Sequence, residues 1–293
     1  MFSGSITALV TPFRGGEVDE AALTRLVEWQ ISEGSHGLVP CGTTGESPTL
    51  THEEHRRVVS MCVDISAGRV PVIAGAGSNS TSEAIDFARH GEKCGADAVL
   101  VVAPYYNNPD QRGLYRHFME VREALESVPV ILYNIPSRSV VDVSVETMAR
   151  LHAQGAIVGV KDATGSMARL AETRARLGER FNQLSGQDNS AIGFMAHGGH
   201  GCISVSANVA PKLCSEFQSA CLDGDFRRAL ELQDRLEALH RALFLEPSPA
   251  PSKYALSLLG ICENEVRLPL ISPSSAACDE IRAAMTRADV LHD

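Results

Sequence analysis

No stretch of this 293-residue sequence approaches the roughly 18 consecutive apolar residues that a membrane-crossing helix needs. Its first residues, Met1-Phe2-Ser3-Gly4-Ser5-Ile6, have neither the basic region nor the long apolar run of a secretory leader. Positive charge is in short supply: 26 Lys and Arg stand against 36 Asp and Glu, a net charge of −10 with a pI near 5.5. That balance argues against nucleic acid or an anionic membrane as partner, and the expected location is the cytoplasm. The eight cysteines lie scattered at 41, 62, 94, 202, 214, 221, 262 and 278 without a C-x-x-C pair, so they read as reduced small hydrophobes. Cys41, inside a glycine-rich turn, leaves a reactive thiol as an alternative. Cofactor signatures are also missing. Gly75-Ala76-Gly77-Ser78-Asn79-Ser80 has two of the three glycines of a dinucleotide fingerprint and no suitable acidic residue to mark it. His52-Glu53-Glu54-His55 spaces its histidines three apart rather than as H-E-x-x-H, and His197-Gly198-Gly199-His200 has no partnering ligands nearby, so no metal is expected.

What is present is a chain with 44% hydrophobic and 21% charged residues, long enough to bury a sizeable core as one unit. Short β-branched runs alternate with amphipathic stretches through the first two-thirds. The runs are Ser5 to Pro12, Gly37 to Cys41, Val70 to Ala74, Ala98 to Ala103, Val128 to Asn134, Ala156 to Lys161, Asn182 to Ser185 and Gly201 to Val205. Between the first two, Ala22, Leu23, Leu26, Val27 and Ile31 recur at helical spacing, with Asp19 to cap the start and Gly34 the end. Continuous apolar strands separated by helices mean a parallel sheet covered on both faces. Eight such units predict an α/β fold, a (β/α)₈ TIM barrel over 1–210. The remainder, 211–293, reads as a C-terminal helical extension packed on the barrel: Pro211 to Leu222, Asp225 to Phe244, Ser252 to Leu259 and Ser275 to Ala288. Pro247, Pro249 and Pro251 mark a rigid turn between two of these helices.

Chemistry in such a barrel collects at the carboxyl ends of the strands, and these ends are polar here. Lys161 closes the apolar run Ala156-Ile157-Val158-Gly159-Val160. A desolvated lysine loses its proton more readily and becomes an attacking amine, the requirement for a Schiff base. The alternative is an ordinary strand-end lysine paired with a carboxylate, and Asp162 is next in sequence. Gly42-Thr43-Thr44-Gly45-Glu46 can aim amides and hydroxyls at an anion, or be a plain βα turn. Tyr133 ends an aliphatic strand, as a proton carrier or a satisfied core ring. Arg138, five residues on in a loop, suits either a substrate carboxylate or a surface ion pair. Taken together, these groups describe a Schiff-base reaction of a 2-oxo acid, in which the iminium acts as electron sink and a base removes an α-proton.

The same residues resemble the dihydrodipicolinate synthase family of pyruvate-dependent class I aldolase-like enzymes. The landmarks run along nearly the whole chain: Gly42-Thr-Thr-Gly-Glu-Ser, Pro104-Tyr-Tyr-Asn, Leu132-Tyr-Asn-Ile-Pro-Ser-Arg, Gly159-Val-Lys-Asp-Ala-Thr-Gly, Leu184-Ser-Gly, Gly198-Gly-His-Gly-Cys-Ile-Ser-Val and Arg267-Leu-Pro. The resemblance implies condensation of pyruvate with L-aspartate 4-semialdehyde on the lysine and diaminopimelate pathway, without a cofactor. It implies that Lys161 forms the Schiff base and Tyr133 carries protons in a relay with Thr43 and Tyr106, the latter supplied by a neighbouring subunit of a homotetramer. It further implies that Thr44 and the Ile203 backbone hold pyruvate, that Arg138 binds the semialdehyde carboxylate and that Gly186 lines the site. A second set, Ser47, Pro48, His52, His55, Asn79, Glu83 and Tyr105, matches a site for feedback inhibition by L-lysine; without the resemblance, His52 and His55 read as one exposed helix face. Two positions depart from the family pattern, Ser248 in place of a common asparagine and Pro48 in place of a frequent alanine. The nearest rival reading is a related aldolase such as N-acetylneuraminate lyase or a 2-keto-3-deoxy sugar acid aldolase, with a different acceptor. A barrel that only binds a metabolite is the rival from another class, disfavoured because no catalytic group is missing.

Overall fold

The computed structural model describes residues 1–291. Eight strands run parallel: β1 Gly4–Ala8, β2 Gly37–Val39, β3 Ile73–Gly75, β4 Ala98–Val102, β5 Val130–Asn134, β6 Gly159–Asp162, β7 Asn182–Ser185 and β8 Gly201–Ser204. Their hydrogen-bonded order is β2-β1-β8-β7-β6-β5-β4-β3. The ring closes where Leu38 pairs with Val72, with Leu38 N donating to Pro71 O at 3.0 Å and Gly75 N to Pro40 O at 2.9 Å. The barrel expected from the eight-unit pattern is therefore the observed fold. Strand β3 is shorter than the apolar run Val70 to Ala74 suggested, because Pro71 has no N–H to give to a ladder.

Strand side chains alternate between two cores. Ile6, Ala8, Val39, Ile73, Ala98, Leu100, Ile131, Tyr133, Leu184 and Ile203 fill the inside of the barrel. Val99, Val101, Val130, Leu132 and Val160 point outward into a larger core beneath the helices. The helices are α1 Glu20–Ser32, α2 His52–Ser66, α3 Thr81–Cys94, α4 Gln111–Glu123, α5 Pro136–Ser139, α6 Val145–Ala153, α7 Met167–Leu177, α8 Ala191–Ala196, α9 Pro211–Leu222, α10 Phe226–Ala242, α11 Ala250–Leu258 and α12 Ser275–Arg287. Asp19 caps α1 by accepting from Ala22 N at 2.9 Å, and Gly34 follows its end with φ +89°, a conformation glycine takes without strain. Thr51 and Glu54 form a capping box on α2. Helix α9 packs on β1, α10 on α9, and α12 on α10 and α11.

Three local readings change. Arg138 stands in the one-turn helix α5, started by Pro136 at a first-turn position where its missing N–H costs nothing, rather than in a loop. Helix α11 begins at Ala250, so Pro251 belongs to its first turn and not to the connection before it. A small antiparallel ribbon, Phe13–Arg14 with Glu17–Val18, joins β1 to α1.

Two histidines buried among the helices set an acid limit on stability. His55 on α2 stacks on Phe87 at 3.9 Å between ring centroids, and His117 on α4 meets the Thr81 hydroxyl at 3.0 Å. Burial pushes both imidazoles down from about 6.5 to about 4. Above pH 6.5 each is neutral whether the chain is folded or not. Between about 6.5 and 4 the unfolded chain takes up both protons while the fold refuses them, so stability falls by about 3 kcal/mol per histidine across that window. Urea midpoints measured at pH 7, 5.5 and 4.5 are expected to drop at each step, and His117→Gln to flatten the decline; equal midpoints at pH 7 and 4.5 contradict the assignment.

Candidate active site

Lys161 lies on β6 with its side chain inside the barrel, 6% exposed. Its register partner on β5 is Tyr133, and Nζ stands 4.2 Å from the centroid of that ring. Strand alternation sends the next residue, Asp162, the other way. There Arg169 Nε engages Asp162 Oδ2 at 2.8 Å, while Thr164 donates from its backbone N, at 2.8 Å, and from its hydroxyl to Oδ1. The ordinary strand-end ion pair is thus not formed: Asp162 is committed to Arg169, and Lys161 makes no ion pair among the described residues. Sequence reasoning did not assign this outer clamp, which also draws in Asp142, bonded by Asn134 Nδ2 at 2.8 Å, and the Val143 carbonyl, bonded by Arg169.

A cavity of about 220 Å³ opens at this end of the barrel, with Thr43, Ser47, Pro48, Tyr105, Tyr133 and Arg138 in its wall. Thr43 and Thr44 ride on a tight turn in which Gly45 N donates to Gly42 O at 3.0 Å and Glu46 N to Thr43 O at 3.2 Å. The Thr11 hydroxyl ties Gly45 O at 2.7 Å. Thr44 is buried and Thr43 partly so. Arg138 is exposed at the rim and makes no ion pair among the described residues, so its guanidinium is available to an anion. Cys41 also lines the cavity, but burial pushes its thiol well up, which disfavours the thiolate that the nucleophilic alternative needs.

Gly186 sits behind the lysine. A Cβ there would stand 2.8 Å from Ala163 Cβ and 3.2 Å from Lys161 Cε. Gly186→Ala is expected to cost about 1–3 kcal/mol through overpacking and to displace the Lys161 stem, lowering the rate at which the amine reacts. Thermal midpoint and single-turnover trapping measure the two effects; a variant with wild-type trapping kinetics rules the contact unimportant. Ile203, 1% exposed, belongs to the inner core beside Tyr133 and Ala163.

Tyr106 is not brought to the cavity. It is 91% exposed with φ +72°, while its neighbour Tyr105 lines the wall. Of the second set, Ser47, Pro48 and Tyr105 share the cavity with the catalytic candidates. His52 contacts Glu83 at 2.7 Å, and the Ser78 hydroxyl donates to the same carboxylate. Ser78 first and His52 second hold the Glu83 carboxyl below its ordinary range. Asn107 Nδ2 donates to Asn79 O at 2.9 Å. His55 is not on an exposed helix face: Phe87 of α3 covers it, while His52 meets the edge of the same ring at 5.1 Å.

The model of the dihydrodipicolinate synthetase family matches residues 1–288. The chain belongs to this family. A relative from Parvibaculum lavamentivorans, a 4-hydroxy-tetrahydrodipicolinate synthase, is 60% identical over 292 residues, all of both chains. The crystal structure of the chloride-inhibited dihydrodipicolinate synthase of Acinetobacter baumannii complexed with pyruvate superposes with a TM-score of 0.97 at 41% identity, over 99% of this chain and 100% of that one. The enzyme of Cyanidioschyzon merolae with lysine bound gives 0.95 at 37% identity, over 99% of each chain.

Proposed function

We infer that this chain is a Schiff-base-forming lyase that condenses pyruvate with L-aspartate 4-semialdehyde to 4-hydroxy-tetrahydrodipicolinate. The observation that carries the reading is the buried Lys161 amine, unpaired among the described residues and in register with Tyr133. Relatives of about this identity being 4-hydroxy-tetrahydrodipicolinate synthases favours the semialdehyde as acceptor over the sugar acids of related aldolases.

The Lys161 nitrogen attacks the pyruvate carbonyl carbon, and the carbonyl oxygen leaves as water, taking one proton from the attacking nitrogen and one from the Tyr133 hydroxyl, to give an iminium and a phenolate that can act as base. Loss of a methyl proton to Tyr133 forms the enamine, since the electron pair of the broken C–H bond moves into the iminium. The enamine carbon attacks the aldehyde, whose oxygen is protonated in return. The amino group of the acceptor then displaces Lys161 and closes the ring. Thr43 and Tyr106 serve as relays for these protons, Thr44 and the Ile203 backbone hold the pyruvate carboxylate, Arg138 holds that of the semialdehyde, and Gly186 leaves room for the lysine stem.

Tyr106 takes part only through another copy of the chain, and its 91% exposure supports a homotetramer in which it completes a neighbour's relay. The eight cysteines, all free thiols, suit the reducing cytoplasm. Ser47, Pro48, His52, His55, Asn79, Glu83 and Tyr105 form the L-lysine site, with Glu83 the partner for the effector's ammonium. An ammonium at Glu83 would compete with the existing His52 and Ser78 contacts to that carboxylate. Titrating lysine into the millimolar range is expected to lower the rate, and an unchanged rate removes the feedback assignment. The decisive experiment for the activity is incubation with pyruvate, reduction with borohydride and mapping by mass spectrometry, followed by assay with the semialdehyde. A mass increment on Lys161 with semialdehyde turnover is expected. An adduct elsewhere overturns the mechanism, and an adduct without turnover moves the assignment to another acceptor.

A further inference from the structure

Glu46 ends the turn that carries Thr43 and Thr44, in a left-handed conformation with φ +55°. Its carboxylate is out of solvent and faces a lysine from the far end of the chain: Lys253 Nζ on α11 lies 2.5 Å from Glu46 Oε1, with side-chain exposures of 0% and 1%. Glu46 Oε2 accepts from Arg267 N at 3.0 Å. Lys253 also donates to Glu265 O at 2.7 Å and stands 3.9 Å from the centroid of the Phe13 ring, which Arg267 approaches as well at 4.3 Å. The Arg267 guanidinium continues to Glu54 of the α2 capping box, 2.7 Å from Oε2, and to Thr49 O at 2.9 Å. A line of charge, buried at Lys253 and Glu46 and partly exposed at Arg267 and Glu54, thus joins α11, the Thr43-Thr44 turn and the start of α2.

Such a pair is a poor device for stability alone. Taking two charges out of water costs several kcal/mol each, and apolar residues of the same volume commonly do as well or better. What a short buried ion pair supplies, and an apolar contact does not, is a partner chosen by charge at a fixed distance, and the hydrogen bond from Arg267 N to the other carboxylate oxygen adds direction. Here the direction is imposed on a residue two positions from Thr44. We propose that Glu46 and Lys253 are positioning residues that set the Thr43-Thr44 turn at the height where it receives the carboxylate of a 2-oxo acid bound to Lys161. The proposal rests on the reading of Thr43 and Thr44 given above, and it makes the C-terminal helices part of the active site's frame.

The test removes both charges together, so that neither is left buried alone. In Glu46→Gln/Lys253→Met the amide keeps an acceptor for Arg267 N, and methionine keeps the lysine stem against Phe13. The expected result is a folded protein whose half-saturating pyruvate, read from borohydride trapping on Lys161, rises about tenfold while the half-saturation for semialdehyde changes little. Glu46→Asp, which keeps both charges and shortens the arm by one methylene, is expected to shift the pyruvate value in the same direction by about threefold. It also serves if the double variant does not fold. Pyruvate saturation within twofold of wild type in a folded variant overturns the positioning role and leaves the pair purely structural. Failure of the wild-type chain to trap pyruvate on Lys161 at all strikes the reading of the site instead, so the two failures are distinguishable.

Discussion

Replacing Lys161 by methionine is expected to eliminate the borohydride-reducible pyruvate adduct and to lower turnover by at least about 10³-fold, because no other group at the barrel mouth can carry the covalent intermediate. Stability is expected to stay level or rise. Methionine fills the volume of the lysine stem and lies comfortably against the Tyr133 ring, whose centroid stands 4.2 Å from Lys161 Nζ. No carboxylate is orphaned by the change, since Asp162 already belongs to Arg169. Intact-protein mass after reduction, steady-state rates and the thermal midpoint together make the check. A variant that still forms the adduct in full yield places the nucleophile on a different amine. The rise or constancy of the midpoint is the more diagnostic half, because a lysine held in an ordinary structural ion pair would destabilise the fold when removed.

Tyr133→Phe is expected to cost about 10²–10⁴ in turnover, the range for losing a positioned proton carrier. The ring is 5% exposed and packed in the inner core, so phenylalanine keeps the packing and removes only the hydroxyl. Formation of the Lys161 adduct is expected to slow and yet reach full yield on long incubation, whereas the later proton transfers to and from carbon remain impaired. Turnover within tenfold of wild type sinks the proton-carrier role. A further discrimination comes from pairing the two changes: if both residues act in one covalent sequence, the double variant is hardly slower than Lys161→Met alone.

Strands such as Ala98–Val102 and Val130–Asn134 were legible because burial on both faces is written in largely apolar runs, whereas Asn182–Ser185, with one apolar residue, carries the weakest such signal. The position of Lys161 was legible for the same reason, as a charge closing one of those runs. Its freedom from Asp162 was not, because that depends on Arg169 and Asp142, which reach the clamp from other segments. The ribbon at Phe13–Arg14 and Glu17–Val18 is too short to have a period. His55 looked like an exposed partner of His52 because spacing fixes only which residues share a helix face; the covering group, Phe87, comes from the next helix. Glu46 and Lys253 gave a signal only in retrospect: an acid in a glycine turn, and a lysine among the apolar residues of α11, where a solvated face would be expected. Groups that meet across most of the chain's length leave no local periodicity.

The alternation along β6 has a consequence for how this barrel can vary in descent. Lys161 and Asp162 are neighbours in sequence but belong to opposite faces, one inside the barrel and one in the clamp with Arg169. A single inserted or deleted residue between Gly159 and Lys161 would exchange them, presenting an acid to the substrate and an amine to Arg169. The helices and loops around the barrel can lengthen and shorten freely by comparison. In this short strand, substitution is tolerable, but a change of length by one puts an acid inside the barrel where an amine now stands.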